Sequence, residues 1–358
     1  MPHPDRHFAQ AQAGFLPENR MKAVGYQKPL SLDLAESLQD IQLPDPVAGG
    51  RDLLVEVRAI SVNPVDYKIR LGRTSPAGQW QVLGWDASGI VRAVGPEVTL
   101  FKPGDRVWYA GEITRQGSNA QLQLVDERIV GHMPETLGFA EAAALPLTAI
   151  TAWELLFDRL GLVPGKRPSE VRLLIVGAAG GVGSILTQLA RRLTSATIIG
   201  TASRPETQAW VRDLGAHHVI DHTRSLVEEL RRIGVPDVTH IASLTNTQEH
   251  FAELAEIIAP QGRLGLIDDP DAPLDIIKLK AKSVSLHWEL MFTRSLFKTA
   301  DMLAQHQLLD EVAALVDAGV IRSTLGEHFG SINAYNLKRA HALLESGKAR
   351  GKIVLEDF

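Results

Sequence analysis

The sequence predicts an α/β chain in which a barrel-like β domain is followed by a doubly wound parallel sheet. Three observations predict it. Strand-like runs broken by Pro and Gly fill residues 22–128. From Val171 onward, strands and helices alternate. At the start of that alternation an apolar strand runs into a glycine loop and then a helix.

The length of 358 residues suits two domains. Apolar residues at 45% and charged residues at 22% are the balance of an ordinary globular protein. A net charge of -5 lacks the basic excess of a nucleic-acid binder. There is no cysteine, so disulfides, thiolate zinc sites and a cysteine nucleophile are excluded. No uninterrupted apolar run reaches the ~18 residues of a membrane span. The first 20 residues are polar and lack the apolar segment of a secretory signal. A cytoplasmic protein off the membrane is expected, with residues 1–20 as a flexible extension.

The β part begins at Met21 with the strand-like run MKAVGY. Leu53–Ile60, Ala87–Val94 and Arg106–Tyr109 follow as short strands. Pro44-Asp45-Pro46, Gly49-Gly50, Gly95-Pro96 and Pro103-Gly104-Asp105 punctuate them. Glu141–Phe157 is apolar and helix-rich. Val171–Val176 has the continuous apolar run of a parallel strand buried on both faces. Beyond the glycine loop, Ser184–Leu193 reads as a helix. Further strands are expected at Thr197–Ala202, His218–Ile220, Thr239–Ser243 and Arg263–Ile267. The helices between them fall near Glu206–Leu214, Leu226–Ile233 and Glu249–Ile258. After Met291 come two amphipathic helical stretches, a helix near Ala334–Glu345 and a last strand at Lys352–Leu355. This tail is expected to return to the first domain, since the ends of a domain often lie close together. The domains are then 21–148, 149–290 and a return segment 291–358.

The loop Gly177–Gly183 reads as A-x-G-x-x-G through Ala178, Gly180 and Gly183. Small residues there let the backbone approach a pyrophosphate and let helix and strand pack closely. The helix N-terminus adds free N–H groups and a positive dipole end. An NAD-specific site carries an acid about 20 residues further on, against the ribose hydroxyls. Ser203 and Arg204 stand there instead. Arg offers a forked cation to phosphate oxygens, which points to NADPH; the alternative is a solvated Arg at a helix start.

Together with Asn63-Pro-Val-Asp66, Gly84-Trp-Asp-Ala-Ser-Gly89, Lys102-Pro-Gly-Asp-Arg-Val107, Leu145-Pro-Leu-Thr-Ala-Ile-Thr151 and Gly351-Lys-Ile-Val354, these residues resemble the medium-chain dehydrogenase/reductases. The similarity covers residues 21–358 and is strongest to the quinone oxidoreductase branch and its zinc-type alcohol dehydrogenase-like members. It implies a GroES-like β-barrel catalytic domain with a Rossmann domain inserted, and a cleft at their junction. In the zinc alcohol dehydrogenases a Cys stands at the place of Asn63 and a His at the place of Trp85. Both are missing, as is the four-Cys lobe, so no metal is expected. His218 and His222 have i,i+4 spacing, but the residues between them read as strand and turn.

Without a Lewis acid an alkoxide is hard to stabilise, whereas reduction of a quinone or an enone is easier. The resemblance places Asn63 near the nicotinamide, orienting the ring or a substrate carbonyl; the alternative is a turn-forming Asn before Pro64. Asp66 lies beside the cleft or braces its loop. Tyr67 or Lys68 offers a proton or hydrogen bond, or packs at the surface. Trp85 and Tyr109 line a slot for a flat acceptor or belong to the core. On the cofactor side the resemblance places Thr151 near the nicotinamide and Gly180, Gly181 and Val182 at the pyrophosphate. His222 is expected against the 2′-phosphate with Ser203 and Arg204. Ser243, Leu244, Leu266 and Ile267 fall at strand ends, where ligands of open α/β sheets bind. Lys352 closes over the nicotinamide or is a surface strand Lys.

The leading expectation is a zinc-independent, NADPH-dependent reductase of small quinones or α,β-unsaturated carbonyls. A zinc alcohol dehydrogenase and a non-catalytic NADPH-binding sensor are the alternatives. By analogy with relatives a homodimer is expected, with Val284–His287 as a candidate edge strand.

Overall fold

The computed structural model describes residues 19–165 and 170–358. The expected extension therefore lies outside the described residues, except that Arg20 already belongs to the first strand.

The β part carries β1 (Arg20–Tyr26), β2 (Gln39–Pro44), β3 (Asp52–Val62), helix α1 (Pro64–Gly72), β4 (Gln81–Val82), β5 (Ala87–Val94), β6 (Arg106–Tyr109), β7 (Leu122–Asp126) and β8 (Val130–His132). Helices α2 (Phe139–Ala143) and α3 (Pro146–Trp153) follow, and α3 runs on into a π-helical turn, Glu154–Arg159. The run Phe139–Arg159 is long and apolar enough to cross a membrane, but it is mostly buried inside the protein. It is a core helix pair, kinked where Pro146 restarts it.

The inserted part carries β9 (Arg172–Val176), α4 (Gly181–Leu193), β10 (Thr197–Thr201), α5 (Pro205–Asp213), β11 (His218–Ile220), α6 (Leu226–Arg232), β12 (Val238–Ser243), α7 (Thr247–Ile257), β13 (Ile258–Leu266) and β14 (Ser285–Trp288). Its sheet has the order β11-β10-β9-β12-β13-β14, all parallel. The order reverses between β9 and β12, so ligands are expected beyond the C-terminal ends of these strands. The chain ends with α8 (Thr293–Phe297), α9 (Leu303–Asp317), β15 (Leu325–His328), α10 (Ala334–Glu345) and β16 (Lys352–Glu356).

Strand β3 is the axis of the catalytic part. One edge pairs with β5. The other edge is shared, with β7 along Asp52–Glu56 and β16 along Ala59–Val62. The return segment thus rejoins the first sheet, whose order is β15-β16-β3-β5-β6-β8. A separate small sheet has the order β2-β1-β4. These sheets form the expected GroES-like part, although their strands close into no ring among the described residues. The β8 end is covered by α9 instead, through His306 on the Val130 carbonyl; a covered edge needs no ring closure.

Other differences are local. Helix α4 starts at Gly181, three residues before the expected Ser184, because the glycine loop itself enters the helix. Helix α1 was not expected from the sequence. Strand β15 was not expected either, and pairs parallel to β16.

Candidate active site

The glycine loop is built as a cradle. Gly177 has φ +81° and its N–H donates to Thr201 Oγ1 at 3.0 Å, a conformation that favours glycine. A Cβ on Gly183 would lie 2.4 Å from the Gly177 carbonyl oxygen, so no other residue fits the crossing of α4 and β9. Ala178 is buried against Gly200, with room for a methyl and no more. Gly180, Gly181 and Val182 keep exposed surface where α4 begins. The first N–H groups of a helix lack intrahelical acceptors, so this thirteen-residue helix offers them and its positive end to an anion. A dinucleotide pyrophosphate fits this donor set.

Beside it, β10 ends at Thr201 and the loop Ala202-Ser203-Arg204 leads into α5. Ser203 and Arg204 are half-buried. The Arg204 guanidinium donates to the Lys348 carbonyl at 3.0 Å and pairs with Glu206 at 3.3 Å. His222 follows β11, the neighbour of β10. Its ring faces His250 at 6.3 Å, and its buried Nδ1 has no partner. Burial, then His250, lowers the His222 pKa from its ordinary value. Stronger phosphate binding by a protonated His222 is therefore disfavoured near neutral pH.

The remaining strand-end residues divide. Leu244 and Ile267 are partly exposed. Ser243 and Leu266 are fully buried, which corrects their assignment as ligand contacts. The Ser243 hydroxyl is bonded to Thr247 Oγ1 at 2.7 Å, and Leu266 packs in the core while its carbonyl accepts from Glu289 N–H. Thr151 is buried in α3 and donates to the Leu147 carbonyl at 2.9 Å.

Opposite the glycine loop lies a buried polar cluster. Asn63 ends β3 and caps α1, with Pro64 in the first helical turn. Asp66 accepts the Asn63 backbone N–H at 2.7 Å. The Asn63 amide donates to Asp86 at 3.1 Å and its carbonyl oxygen accepts from Lys352 Nζ. Lys352 is 3% exposed. Its ammonium also donates to the Val62 carbonyl and to Asp86, each at 3.0 Å. All three of its protons are thereby used. Its stem runs under the cofactor loop, 2.8 Å from where a Cβ on Gly181 would sit. Lys352 is thus neither a surface Lys nor a free group over the nicotinamide; it is the counter-ion of Asp86. The other Asp86 oxygen accepts the Leu147 N–H at 2.9 Å and anchors the start of α3.

Burial raises the Asp86 carboxyl from its ordinary value, while Lys352 pulls against it. Asp66 is pushed up to about 7, chiefly by burial, with the Asn63 N–H and Lys352 opposing and Asp86 assisting. Its Oδ1 has no partner. Asp66 has no exposed surface and braces α1; it does not reach a substrate directly.

Tyr67 is half-buried and Lys68 exposed on α1. Lys68 Nζ pairs with Asp269 of the cofactor domain at 2.8 Å. Trp85 and Tyr109 are fully buried core residues, correcting their place in an acceptor slot. Trp85 Nε1 donates to the Glu112 carbonyl at 3.1 Å and its ring edge meets Phe292. They pack in the core and present no exposed face to a ligand.

Sequence reading missed Asp86, although it lies inside the Gly84–Gly89 motif: an acid entering an apolar strand was the available signal. It also missed Glu154 and Glu289, a buried pair flanked by Arg294 and Arg159. Burial and then Glu154 push Glu289 up to about 9, so this pair holds a proton.

The two positions where zinc alcohol dehydrogenases are expected to carry a Cys and a His hold no free metal ligand here. A catalytic zinc requires three protein ligands and an open position. The Asn63 oxygen is taken by an ammonium, and the Trp85 ring offers no ligand atom.

Comparisons with known proteins agree with this architecture. Residues 49–153 match the alcohol dehydrogenase GroES-like domain family, and residues 214–355 match the zinc-binding dehydrogenase family. A zinc-type alcohol dehydrogenase-like protein of Staphylococcus aureus (strain MSSA476) is 40% identical over 336 residues, 94% of this chain and 99% of that one. Human mitochondrial NAD(P)H oxidoreductase is 30% identical, over 85% of this chain and 81% of its own. A crystal structure from Rhizobium etli CFN 42, described provisionally as a zinc-dependent alcohol dehydrogenase, is 58% identical with a TM-score of 0.90, covering 95% and 99% of the two chains. Escherichia coli quinone oxidoreductase complexed with NADPH is 25% identical with a TM-score of 0.78, covering 94% and 99%. The chain belongs to the medium-chain dehydrogenase/reductase superfamily, on its quinone oxidoreductase branch, and is an oxidoreductase built for a nicotinamide cofactor.

Proposed function

We propose that this protein is an NADPH-dependent reductase of small quinones or α,β-unsaturated carbonyls that works without zinc in its cleft. The observation that carries the reading is the Lys352 ammonium, bonded to Asn63 and Asp86 where zinc relatives are expected to hold their metal. A fixed organic cation there orients Asn63 and the start of α3 but has no open position for an alkoxide.

When bound, the nicotinamide supplies a hydride. The chain supplies the rest. Gly181 and Val182 hold the pyrophosphate with backbone N–H groups, while Gly180, whose own N–H donates to the Gly177 carbonyl, leaves room for the phosphates to approach the backbone. Arg204 and Ser203 receive the 2′-phosphate, which competes with Glu206 for the guanidinium. Tyr67 or Lys68 is assigned the hydrogen bond or proton for the substrate carbonyl oxygen, Lys68 on release from Asp269. The structure of an E. coli relative described with NADPH supports the cofactor choice by analogy. The expected homodimer would use β14, the free end of the six-stranded sheet, where Trp288 is 53% exposed. A single-chain mass in solution would end that part of the reading. On the same proposal the partner is a small molecule, and neither a nucleic acid nor a membrane, and the protein's place is the cytoplasm.

The test is oxidation of NADPH and of NADH by chelator-treated protein, with 1,4-benzoquinone, 9,10-phenanthrenequinone and a simple enone. Chelator-resistant turnover with NADPH is expected. Arg204→Asp should weaken NADPH by tenfold or more, about 1.4 kcal/mol, while NADH turnover persists. Turnover that appears only when zinc is added would sink the proposal. Tight NADPH binding with no turnover on any acceptor would favour a sensor.

A further inference from the structure

Away from the cleft, three side chains that the proposed reaction does not use converge where α9 lies over β8. His132 ends β8, and His306 and Asp310 are four residues apart on one face of α9. His132 Nδ1 is 3.1 Å from Asp310 Oδ2, and His306 Nε2 is 3.5 Å from the same oxygen. One ligand atom from each of the three lies within 4.8 Å of the others.

The hydrogen bonds fix what these atoms present. His306 Nδ1 is 2.7 Å from the Val130 carbonyl oxygen. A carbonyl only accepts, so Nδ1 carries the proton. Neutral His306 then points the Nε2 lone pair at a carboxylate oxygen, which is also an acceptor. Two facing acceptors repel unless a cation lies between them. Asp310 cannot turn away easily, because its Oδ1 accepts the His132 backbone N–H at 2.7 Å. The cation is either a second proton on His306 or a metal.

Three features favour a metal. A ring N–H held by a backbone carbonyl is the usual support of a metal-binding His. Ligands about 2.0–2.2 Å from a tetrahedral zinc lie roughly 3.3–3.5 Å from one another, and the two separations here bracket that spacing. Phe101 packs on His132 at 4.5 Å and on His306 at 5.5 Å between ring centroids, holding both rings. The His132 side chain is 49% exposed, which leaves an entry path and open coordination positions for water.

We propose that His132, His306 and Asp310 form a divalent metal site of the zinc class, separate from the cofactor cleft. Imidazole nitrogens with one carboxylate suit zinc, cobalt, nickel or copper and not calcium or magnesium. The site ties the return segment, through α9, to the end of β8. It bridges residues 178 positions apart in the chain. It touches neither the glycine loop nor Asn63, so its role is to clamp the catalytic sheet. This departs from the sequence expectation of no metal, which weighed the cleft and the His218/His222 pair.

The experiment uses tag-free full-length protein, stripped by chelator and dialysed. Zinc is titrated by calorimetry and cobalt by visible absorption. One zinc per chain, a rise in Tm with zinc and a tetrahedral cobalt spectrum are expected. His132→Gln and His306→Gln should each weaken zinc by roughly tenfold or more and remove the Tm rise, with NADPH affinity unchanged. His306→Gln also loses the Val130 bond and can misfold; His132→Gln, on the exposed side, keeps the test decisive. Absence of saturable zinc binding would overturn the proposal. So would equal binding in the double variant His132→Gln/His306→Gln. Either result would assign the place between His306 and Asp310 to a proton.

Discussion

The two walls of the cleft are made of different material. The cofactor wall is backbone: Gly181 and Val182 present N–H groups at the start of α4, and the loop Gly177–Gly183 has almost no side chain to displace. The opposite wall is side chain: Asn63, Asp86 and Lys352 are buried and bonded to one another. The first wall has unused donors and can bind. The second has used its strongest donors internally, so it can position but has little left to offer a ligand. Ligand-directed chemistry therefore falls to the cofactor and to groups at the cleft mouth, and the cluster serves as the frame that holds β3, α1, α3 and β16 in register.

The largest expected effect follows from removing the frame's cation. Lys352→Met leaves Asp86 charged and buried without its partner, which costs about 3–5 kcal/mol. Replacing both, Lys352→Met with Asp86→Leu, should recover much of that loss, since removing both partners spares an orphaned charge. Urea unfolding of the single and double variants reads both numbers. A single variant within about 1 kcal/mol of wild type would mean the cluster is no frame.

On the cofactor wall, two glycines of one loop should behave oppositely. Gly183→Ala places a methyl 2.4 Å from a backbone oxygen and should cost roughly 1–3 kcal/mol of stability along with cofactor affinity. Gly180 has φ -73° and only an ordinary 3.5 Å contact in the way of a Cβ. Gly180→Ala should leave stability within about 0.5 kcal/mol and weaken NADPH alone. Thermal unfolding with and without NADPH separates the two; equal losses of stability would remove the distinction between packing glycine and binding glycine.

A smaller effect concerns pH. The Asp66 carboxyl stands at about 7 in the folded protein against an ordinary 3.8. A raised carboxyl binds its proton more tightly when folded, so its stabilisation is complete below 3.8 and declines as pH rises to about 7. Above that the contribution is flat. The slope is at most about 1.4 kcal/mol per pH unit. Asp66→Asn should lack this decline, so the stability difference between wild type and variant should change between pH 5 and 7 and hold steady above. Parallel profiles across that range would show that Asp66 is ionised throughout.

The same contrast explains what the sequence made legible. Parallel strands buried on both faces leave continuous apolar runs, so Val171–Val176 and its successors could be read with near-correct bounds. The glycine loop was legible because its requirement, small residues at set spacing, is local. Helix α1 carried readable start signals, Asn63 at the cap and Pro64 after it, but they lay within a motif read for its chemistry, with a turn as the alternative. The missing barrel closure depended on strand register and on a covering helix, which local patterns do not encode. The frame was hidden for a different reason: Lys352 and Asn63 are 289 positions apart, and only β16 pairing with β3 brings them together. Trp85 and Tyr109 had the right composition for a slot, and burial, a tertiary property, decided against it.

The smallest expected effect decides whether the cleft mouth contributes chemistry or only a latch. Lys68 and Asp269 join the two domains through an exposed ion pair, with side chains 43% and 82% exposed. Such pairs are worth about 0–1 kcal/mol and weaken with salt. Lys68→Met should therefore shift stability by no more than this. As a latch alone, Lys68 would leave kcat within a few-fold, and Asp269→Asn would match its effect on KM. As a proton donor, its loss would lower kcat by roughly a hundredfold or more, and Asp269→Asn would not reproduce that. Tyr67→Phe supplies the complementary arm, because Tyr67 lies one residue before it on α1 and has the other transferable proton. If neither variant lowers kcat, the proton comes from water, and the mouth of the cleft joins the buried frame in positioning without reacting.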